Sequence, residues 1–136
     1  MIMSFKELFR EKYSGDNLVS IATVDSDGVP WVRTVNATFY RDSFFAVTQA
    51  SSTKIQHISL CPKVAVSGDW FSVHGIAENL GSISLPDNSE YAAHIRSAFA
   101  DWYENGDINE SDPDMVILRI RLTDGVIWHN GERIPL

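Results

Sequence analysis

The 136-residue chain has only one cysteine and no long apolar run. Because Cys61 is alone, no disulfide can form within the chain, which favours a reducing compartment such as the cytoplasm. No apolar run approaches the roughly 20 residues that a membrane-spanning helix needs. The first residues also lack the basic and then apolar pattern of a secretion signal. We therefore expect a cytoplasmic protein with no membrane partner.

Positive charge is also scarce. Eleven lysines and arginines stand against 18 acidic residues, which gives a net charge of -7 and argues against nucleic acid or an anionic membrane surface as the main partner. Residues 101–114 contain six of the acids and no lysine or arginine. We predict that this run of like charge is a solvated loop. The alternative is a calcium site, but the spacing of the acids does not fit an EF-hand loop.

Motifs of catalytic and metal sites are missing as well. The four histidines are far apart in sequence and form no metal-ligand pair, so we predict no metal site. The glycine-rich phosphate loop, the dinucleotide fingerprint and the nucleophile elbow do not occur. No residue stands out as a general acid or base, and the catalytic residues stay unknown.

The hydrophobic pattern predicts one domain, residues 1–136, that is mainly β with flanking helices. A capping box at Ser4 and Glu7 opens a helix over residues 4–13, and further helices are predicted over 52–60 and from Pro86 onward. Strands are predicted over 18–24, 31–40, 43–48, 63–67, 70–80, 115–122 and 126–129, and residues 132–136 pair back after a hairpin at Asn130-Gly131. The short turns favour an antiparallel sheet, and Gly75 marks a bulge or bend that suits closure into a small barrel.

Polar residues at the start of the second helix form the first candidate site. Ser51 or Ser52 can cap this helix, and the free N–H groups of a helix start suit an anion. Lys54 lies in the first turn, where the helix dipole disfavours a cation unless an anion is bound. The alternative is a solvated lysine beside an ordinary serine cap.

Arg33 is the second candidate, because it lies in a predicted strand with apolar neighbours. A guanidinium there needs a partner, and its planar fork suits a phosphate. The alternative is an arginine that points to solvent from the outer face.

Tryptophan is frequent, with four in the chain. Trp102 fits the core face of the third helix. Trp31, Trp70 and Trp128 fall on predicted strands, where each could stack on a flat ligand, fill a subunit interface or pack in the core.

Five segments carry a resemblance that covers nearly the whole chain in order. They are LVSIATVDSDGVPWVRTV (18–35), FFAVTQASSTKIQHI (44–58), CPKVAVSG (61–68), VHGIAENL (73–80) and VIWHNGERI (126–134). The chain resembles the pyridoxamine 5'-phosphate oxidase-like, FMN-binding split-barrel family, including its short general-stress-protein-type members. This resemblance implies a small antiparallel split barrel and a homodimer with two FMN sites at the subunit interface.

The resemblance also implies a set of cofactor-binding residues. Along the flavin would lie Arg33, Thr34, Val35 and Asn36, with Arg33 toward the phosphate. The isoalloxazine and ribityl side would be contacted by Val47 and Thr48, and the phosphate would be held by Ser52, Thr53 and Lys54. The other subunit would contribute Trp70, Phe71 and Trp128.

The function implied is that of an FMN-binding flavoprotein, an oxidoreductase whose substrate and electron donor the sequence does not reveal. The vitamin B6 oxidases carry a C-terminal Arg-x-His motif that grips the substrate, whereas here only Arg133 could correspond. Pyridoxamine phosphate oxidation is therefore not the expected reaction. Relatives in this superfamily bind haem or deazaflavin F420. The alternatives are a non-enzymatic flavin or haem carrier, in which His57, His74 or His129 could ligate haem, and a structural barrel without ligand.

Overall fold

The computed structural model describes residues 4–136, which contain seven strands and three α-helices. In chain order these are α1 (Phe5–Tyr13), β1 (Asn17–Val24), β2 (Pro30–Tyr40), β3 (Ser43–Gln49), α2 (Thr53–Leu60), β4 (Lys63–Gly68), β5 (Phe71–Ser82), α3 (Ser89–Ala98), β6 (Met115–His129) and β7 (Glu132–Pro135). A 3₁₀ turn, Pro86–Asn88, leads into α3, and a second one, Tyr103–Asn105, follows it. None of the helices in the described residues combines the length and apolar character that crossing a membrane requires.

The strands form a closed antiparallel barrel, as the sequence predicts. Their order is β3-β2-β1-β4-β5-β6, and β3 pairs with β6 to close the ring. The last strand, β7, extends the sheet beyond β6 through the Asn130-Gly131 hairpin, where both residues have positive φ angles. The fold is therefore a six-stranded barrel with one appended strand and three helices.

The barrel is split between β2 and β3. These strands pair only from Tyr40 and Ser43 to Thr38 and Phe45. Beyond that point β2 continues against β1, whereas β3 continues against β6. The part of β2 over residues 31–37 therefore has no strand partner on the β3 side, and its backbone groups there are open to a ligand.

Two cores hold this arrangement. Inside the barrel, the rings of Phe9, Phe39, Phe44 and Phe71 meet edge to face or stacked. Phe9 comes from α1, whose predicted capping box is present, so this helix closes one end of the barrel. The second core joins α3 to the outer face of β3 and β6, around Phe45, Ile95, Phe99 and Ile117.

Two predictions about the strands are wrong. The predicted strands 115–122 and 126–129 are not separated by a turn at residues 123–125, because β6 runs unbroken from Met115 to His129. Its pairing with β5 shifts register beside Gly75, and Gly125 has a φ angle of 150°. The glycine is thus needed for close approach inside a sheet, since an added Cβ would lie 2.6 Å from the Val73 Cα. Likewise Trp70 is not a strand residue: it sits in the turn before β5 with a φ angle of 69°.

The acidic segment, residues 101–114, is exposed but more ordered than a solvated loop. Glu110 binds Arg96 of α3 through two hydrogen bonds and also accepts one from the Tyr103 hydroxyl. Asp114 accepts hydrogen bonds from the backbone N–H and the hydroxyl of Ser51. These contacts fasten the last part of the segment to α3 and to the loop before α2.

Candidate functional site

Arg33 lies at the split, on the inner face of β2. It stands opposite Ile21 of β1, whose side chain is buried in the barrel. Its Nη1 atom donates to the Thr23 hydroxyl at 2.6 Å and to the Ile21 carbonyl at 3.3 Å. The Nε and Nη2 atoms make no hydrogen bond with residues 4–136, so that edge of the guanidinium is available to a ligand.

Lys54 approaches the same place from the first turn of α2. Its Nζ donates to the Thr48 hydroxyl of β3 at 2.6 Å. The Thr48 hydroxyl in turn lies 3.5 Å from that of Ser52. Burial lowers the pKa of the Lys54 ammonium, and the charge of Arg33 lowers it further. The charges of Arg33 and Lys54 therefore disfavour each other.

Neither cation has a carboxylate partner within residues 4–136. The other arginines that pair do so with glutamates: Arg41 with Glu90, Arg96 with Glu110 and Arg119 with Glu78. Burial lowers the pKa of Arg33 as well, with no acidic group to offset it. Two half-buried, uncompensated cations are costly without an anion, so this cluster has the electrostatics of an anion site.

The start of α2 adds hydrogen-bond donors to this cluster. Ser52 occupies the N-cap position, as the sequence allows, but its hydroxyl makes no capping hydrogen bond. A helix start also leaves its first N–H groups without carbonyl partners and carries partial positive charge. The Ser52 hydroxyl and the first N–H groups of α2 can therefore donate hydrogen bonds to a bound anion.

A groove of about 340 Å³ runs beside the cluster, between the diverging strands and the end of α3. Three of the predicted cofactor residues line it: Val35, Asn36 and Val47. Its opposite wall consists of Phe99, Trp102, Gly106, Asp107, Ile108 and Met115. Arg33 and Lys54 do not line this groove themselves, but Val35 lies two residues after Arg33 on the same face of β2, so the groove begins next to the cationic cluster.

Trp70, Phe71 and Trp128 lie together at a second groove, of about 680 Å³, with Lys12 and the turn that follows Trp128. The backbone N–H of Trp128 donates to the Trp70 carbonyl at 2.8 Å, which joins the tips of two hairpins. Trp70 is 70% exposed, whereas the ring of Phe71 is buried against Phe9. Phe71 therefore supports this groove from the core.

Two predicted residues lie outside both the cationic cluster and the two grooves. Thr34 is exposed on the outer face of β2, opposite Ser20, and Thr53 is exposed on the first turn of α2. Sequence reasoning in turn missed Thr23, and it named His57 only as a possible haem ligand. The buried Thr23 hydroxyl lies between Arg33 and the His57 Nδ1 atom, which is 2.7 Å away. The alternation Val19, Ile21, Thr23 already places this threonine on the inner face.

No group of three His, Cys, Asp or Glu side chains in the described part of the chain is placed to hold a metal ion. Outside the cluster, His74 Nδ1 pairs with Asp124 at 2.7 Å on the barrel surface. Trp102 follows α3 instead of lying on it, but its side chain does pack against the second core, and it also lines the groove at the split.

The family model described as pyridoxamine 5'-phosphate oxidase matches residues 5–129, which include the whole barrel up to the end of β6. The chain belongs to the pyridoxamine 5'-phosphate oxidase family. No curated protein sequence matches it.

Solved structures share the fold of this pyridoxamine 5'-phosphate oxidase family member. General stress protein 26 from Bacillus anthracis str. Sterne is 20% identical, with 98% of this chain and all of that protein aligned at a TM-score of 0.70. An F420 reductase is 19% identical over 84% of this chain and 92% of its own, at 0.61. The haem storage protein HutZ from Vibrio cholerae is 13% identical over 90% and 92%, at 0.67. At these identities the likeness shows the fold alone.

Proposed function

We propose that this protein is an FMN-binding flavoprotein and acts as an oxidoreductase, with its cofactor at the split of the barrel. The observation that carries the proposal is the convergence of Arg33 and Lys54 without a carboxylate partner within residues 4–136. A phosphate monoester would neutralise both charges and accept hydrogen bonds from the free edge of Arg33 and from the start of α2.

The groove beside the cluster fits the remainder of this ligand. A flavin mononucleotide joins an anionic end to a flat and largely apolar ring, and the site has the same polarity. Val35, Val47 and Trp102 line the groove and would take the ring, and Arg33, two residues before Val35 on the same face of β2, would take the anionic end together with Lys54. The flavin supplies the redox chemistry, while the chain binds the phosphate, orients the ring and excludes water from one side of it.

The proposal includes a homodimer, because the exposed tryptophans lie on a groove that shares no residue with the split. Trp70 and Trp128 would reach the flavin of a second copy. An apolar row supports such an interface: Val32, Ala22 and Ala65 pair across β2, β1 and β4 on the outer face of the barrel. Val32 and Leu18, on the same face, are 70% and 69% exposed. The proposed location is the cytoplasm, where a lone cysteine stays reduced.

Haem is the alternative ligand, because the fold is shared with a haem storage protein and a haem-binding protein from Mycobacterium smegmatis. The His74 imidazole is exposed and its Nδ1 is held by Asp124, which leaves Nε2 open to a ligand. A haem carrier would not show the absorption spectrum of a flavin, and a nicotinamide cofactor would not drive a redox cycle in it. The cationic cluster at the split, which suits a phosphate group, favours FMN over haem.

The test is to purify the protein, record its absorption spectrum and identify the chromophore released on denaturation. We expect a yellow protein, or a colourless one that takes up added FMN stoichiometrically. The bound flavin should be bleached by a nicotinamide cofactor or another reductant and should recover in air. A Soret band would support haem instead, and a protein that neither contains nor takes up FMN would contradict the proposal.

Matched variants locate the site. Arg33→Ala and Lys54→Ala should each weaken FMN binding by about 10- to 100-fold, because each removes a charge-assisted contact. Arg121→Ala, on the exposed side of β6, is the control and should bind FMN like the unmodified protein. Equal FMN affinity in all three variants would place the cofactor elsewhere.

A further inference from the structure

Asp16, which directly precedes β1, joins two parts of the groove that are distant in sequence. Its Oδ1 accepts a hydrogen bond from the Asn36 side-chain amide on β2 at 2.9 Å. Its Oδ2 accepts one from the Trp102 indole N–H, beyond α3, at 2.8 Å. One carboxylate therefore connects the split edge of β2 to the opposite wall of the groove.

The carboxylate is itself held in place. The neighbouring Asn17 side chain donates to the carbonyls of Tyr13 at 2.8 Å, Gly15 at 3.1 Å and Ala37 at 3.3 Å. These bonds fix the link between α1 and β1 against β2. Asp16 can therefore hold Asn36 and Trp102 from a backbone that is already ordered.

The contact with Asp16 fixes how Asn36 faces the groove. Only the NH₂ group of an amide can donate to a carboxylate, so Nδ2 must face Asp16. The Asn36 Oδ1 atom is then left as an acceptor beside the ligand. The Trp102 indole is fixed too: it stacks on Phe99 with ring centroids 4.9 Å apart, and Gly106 lies so close that an added Cβ would be 2.6 Å from the ring.

We propose that Asp16 is a positioning residue, which holds the Asn36 amide and the Trp102 indole as a preformed wall for the ring end of the bound flavin. This inference rests on the proposed FMN site. It adds that the segment after α3, and not only the barrel, shapes the ring end. Asp16 acts through the two side chains that it holds.

Riboflavin tests this role, because it has the ring of FMN but no phosphate. Asp16→Asn keeps the shape of the side chain, but its NH₂ group cannot accept a hydrogen bond. It must face either the Asn36 amide or the Trp102 indole N–H, so one of the two contacts is lost. We expect about 3- to 10-fold weaker binding of both FMN and riboflavin, by a similar factor. Lys54→Ala should weaken FMN binding and leave riboflavin binding unchanged. Asp101→Asn, which removes a nearby exposed charge that makes no side-chain hydrogen bond in the described chain, is the control for charge alone.

A readout without ligand separates this inference from the proposed function. The Trp102 indole N–H resonance of the ligand-free protein should be protected from solvent exchange, and Asp16→Asn should remove that protection. If the unmodified protein binds neither flavin, the proposed function fails, whatever this resonance shows. If it binds FMN while Asp16→Asn leaves both affinities within twofold, or weakens FMN binding alone, the inference about Asp16 is overturned.

Discussion

At the scale of single residues, the chemistry of the site depends on two cations that stand in one place. The sequence predicted Arg33 and Lys54 as candidates but left a solvated alternative open for each. Neither strand periodicity nor helix periodicity shows that these side chains converge across the split. The structure adds this convergence together with Thr23, a buried polar residue that orients Arg33.

FMN binding should depend on pH through these groups. Below about pH 6 the phosphate loses its second charge, so FMN affinity falls. At alkaline pH affinity falls again as Lys54 loses its proton, and this begins below the ordinary lysine pKa of 10.5, because burial and Arg33 lower that pKa. Fluorescence titrations with FMN and with riboflavin at each pH should show this pH dependence as a change in the ratio of the two affinities. The ratio cancels any effect of pH on the ring, because both ligands share it.

Lys54→Arg is the matched variant for this profile. An arginine stays protonated throughout the accessible range, so the alkaline loss of FMN affinity should disappear while the acidic loss remains. An alkaline limb that is unchanged in Lys54→Arg would show that another group is responsible.

At the scale of elements, most helices and strands could be predicted from local patterns. The capping box of α1, the alternation in β5 and the Asn-Gly hairpin each depend on residues close in sequence. The errors at Trp70 and at residues 123–125 both fall where the backbone has a positive φ angle. At Gly125 the local pattern could not decide, because the same glycine signal serves both a turn and a close contact within a sheet.

Gly125→Ala tests the interpretation of the β6 irregularity. The added methyl would meet the Val73 backbone at 2.6 Å and the Ser72 carbonyl at 2.7 Å, in a backbone conformation that alanine rarely adopts. We expect a loss of about 2 to 4 kcal/mol in the free energy of unfolding, measured with urea. Gly15→Ala, where an added methyl has no neighbour within 4 Å, should change it by less than about 0.5 kcal/mol. Similar losses in both variants would contradict this account.

The acidic segment should contribute a pH-dependent part of stability through Glu110. Arg96 and then Tyr103 lower the pKa of this carboxyl from 4.5 to about 2. Because the folded pKa is below the unfolded one, the contribution is complete above about pH 4.5 and is lost as the pH falls toward about 2. The partly exposed pair is worth on the order of 1 kcal/mol.

Urea unfolding at about pH 6 and about pH 3 measures this contribution. Glu110→Gln should be less stable than the unmodified protein at the higher pH and should lose less stability on acidification. Glu104→Gln, in the same segment, makes no hydrogen bond through this side chain within residues 4–136 and is the control. A steep acid dependence that persists in Glu110→Gln would assign it to other groups.

At the scale of the whole molecule, the order of the motifs predicted the split barrel, and the family match confirms it. What could not be predicted is where the barrel opens. The opening follows because β3 pairs with β6 along its whole length but with β2 only as far as Phe45, and the partners on β3 and β6 are 66 to 78 positions apart.

The proposed homodimer gives a prediction at this scale. Val32→Asp places a charge on the apolar row of the outer face and should convert the dimer into monomers in sedimentation experiments. FMN affinity should fall with it, because the partner's tryptophans are then lost from the site. Leu85→Asp changes an exposed leucine outside the barrel strands and should leave the assembly unchanged. An unmodified protein that is monomeric at all concentrations would contradict the dimer.

The central claim is that the split of the barrel binds a phosphate through Arg33 and Lys54. It is tested most directly by calorimetric titration of the unmodified protein and of the Arg33→Ala/Lys54→Ala double variant, each with FMN and with riboflavin. The account predicts that the unmodified protein binds FMN at least about 100-fold more tightly than riboflavin, and that the double variant binds the two equally. Equal affinity for both ligands in the unmodified protein, or an FMN preference that survives in the double variant, would contradict it.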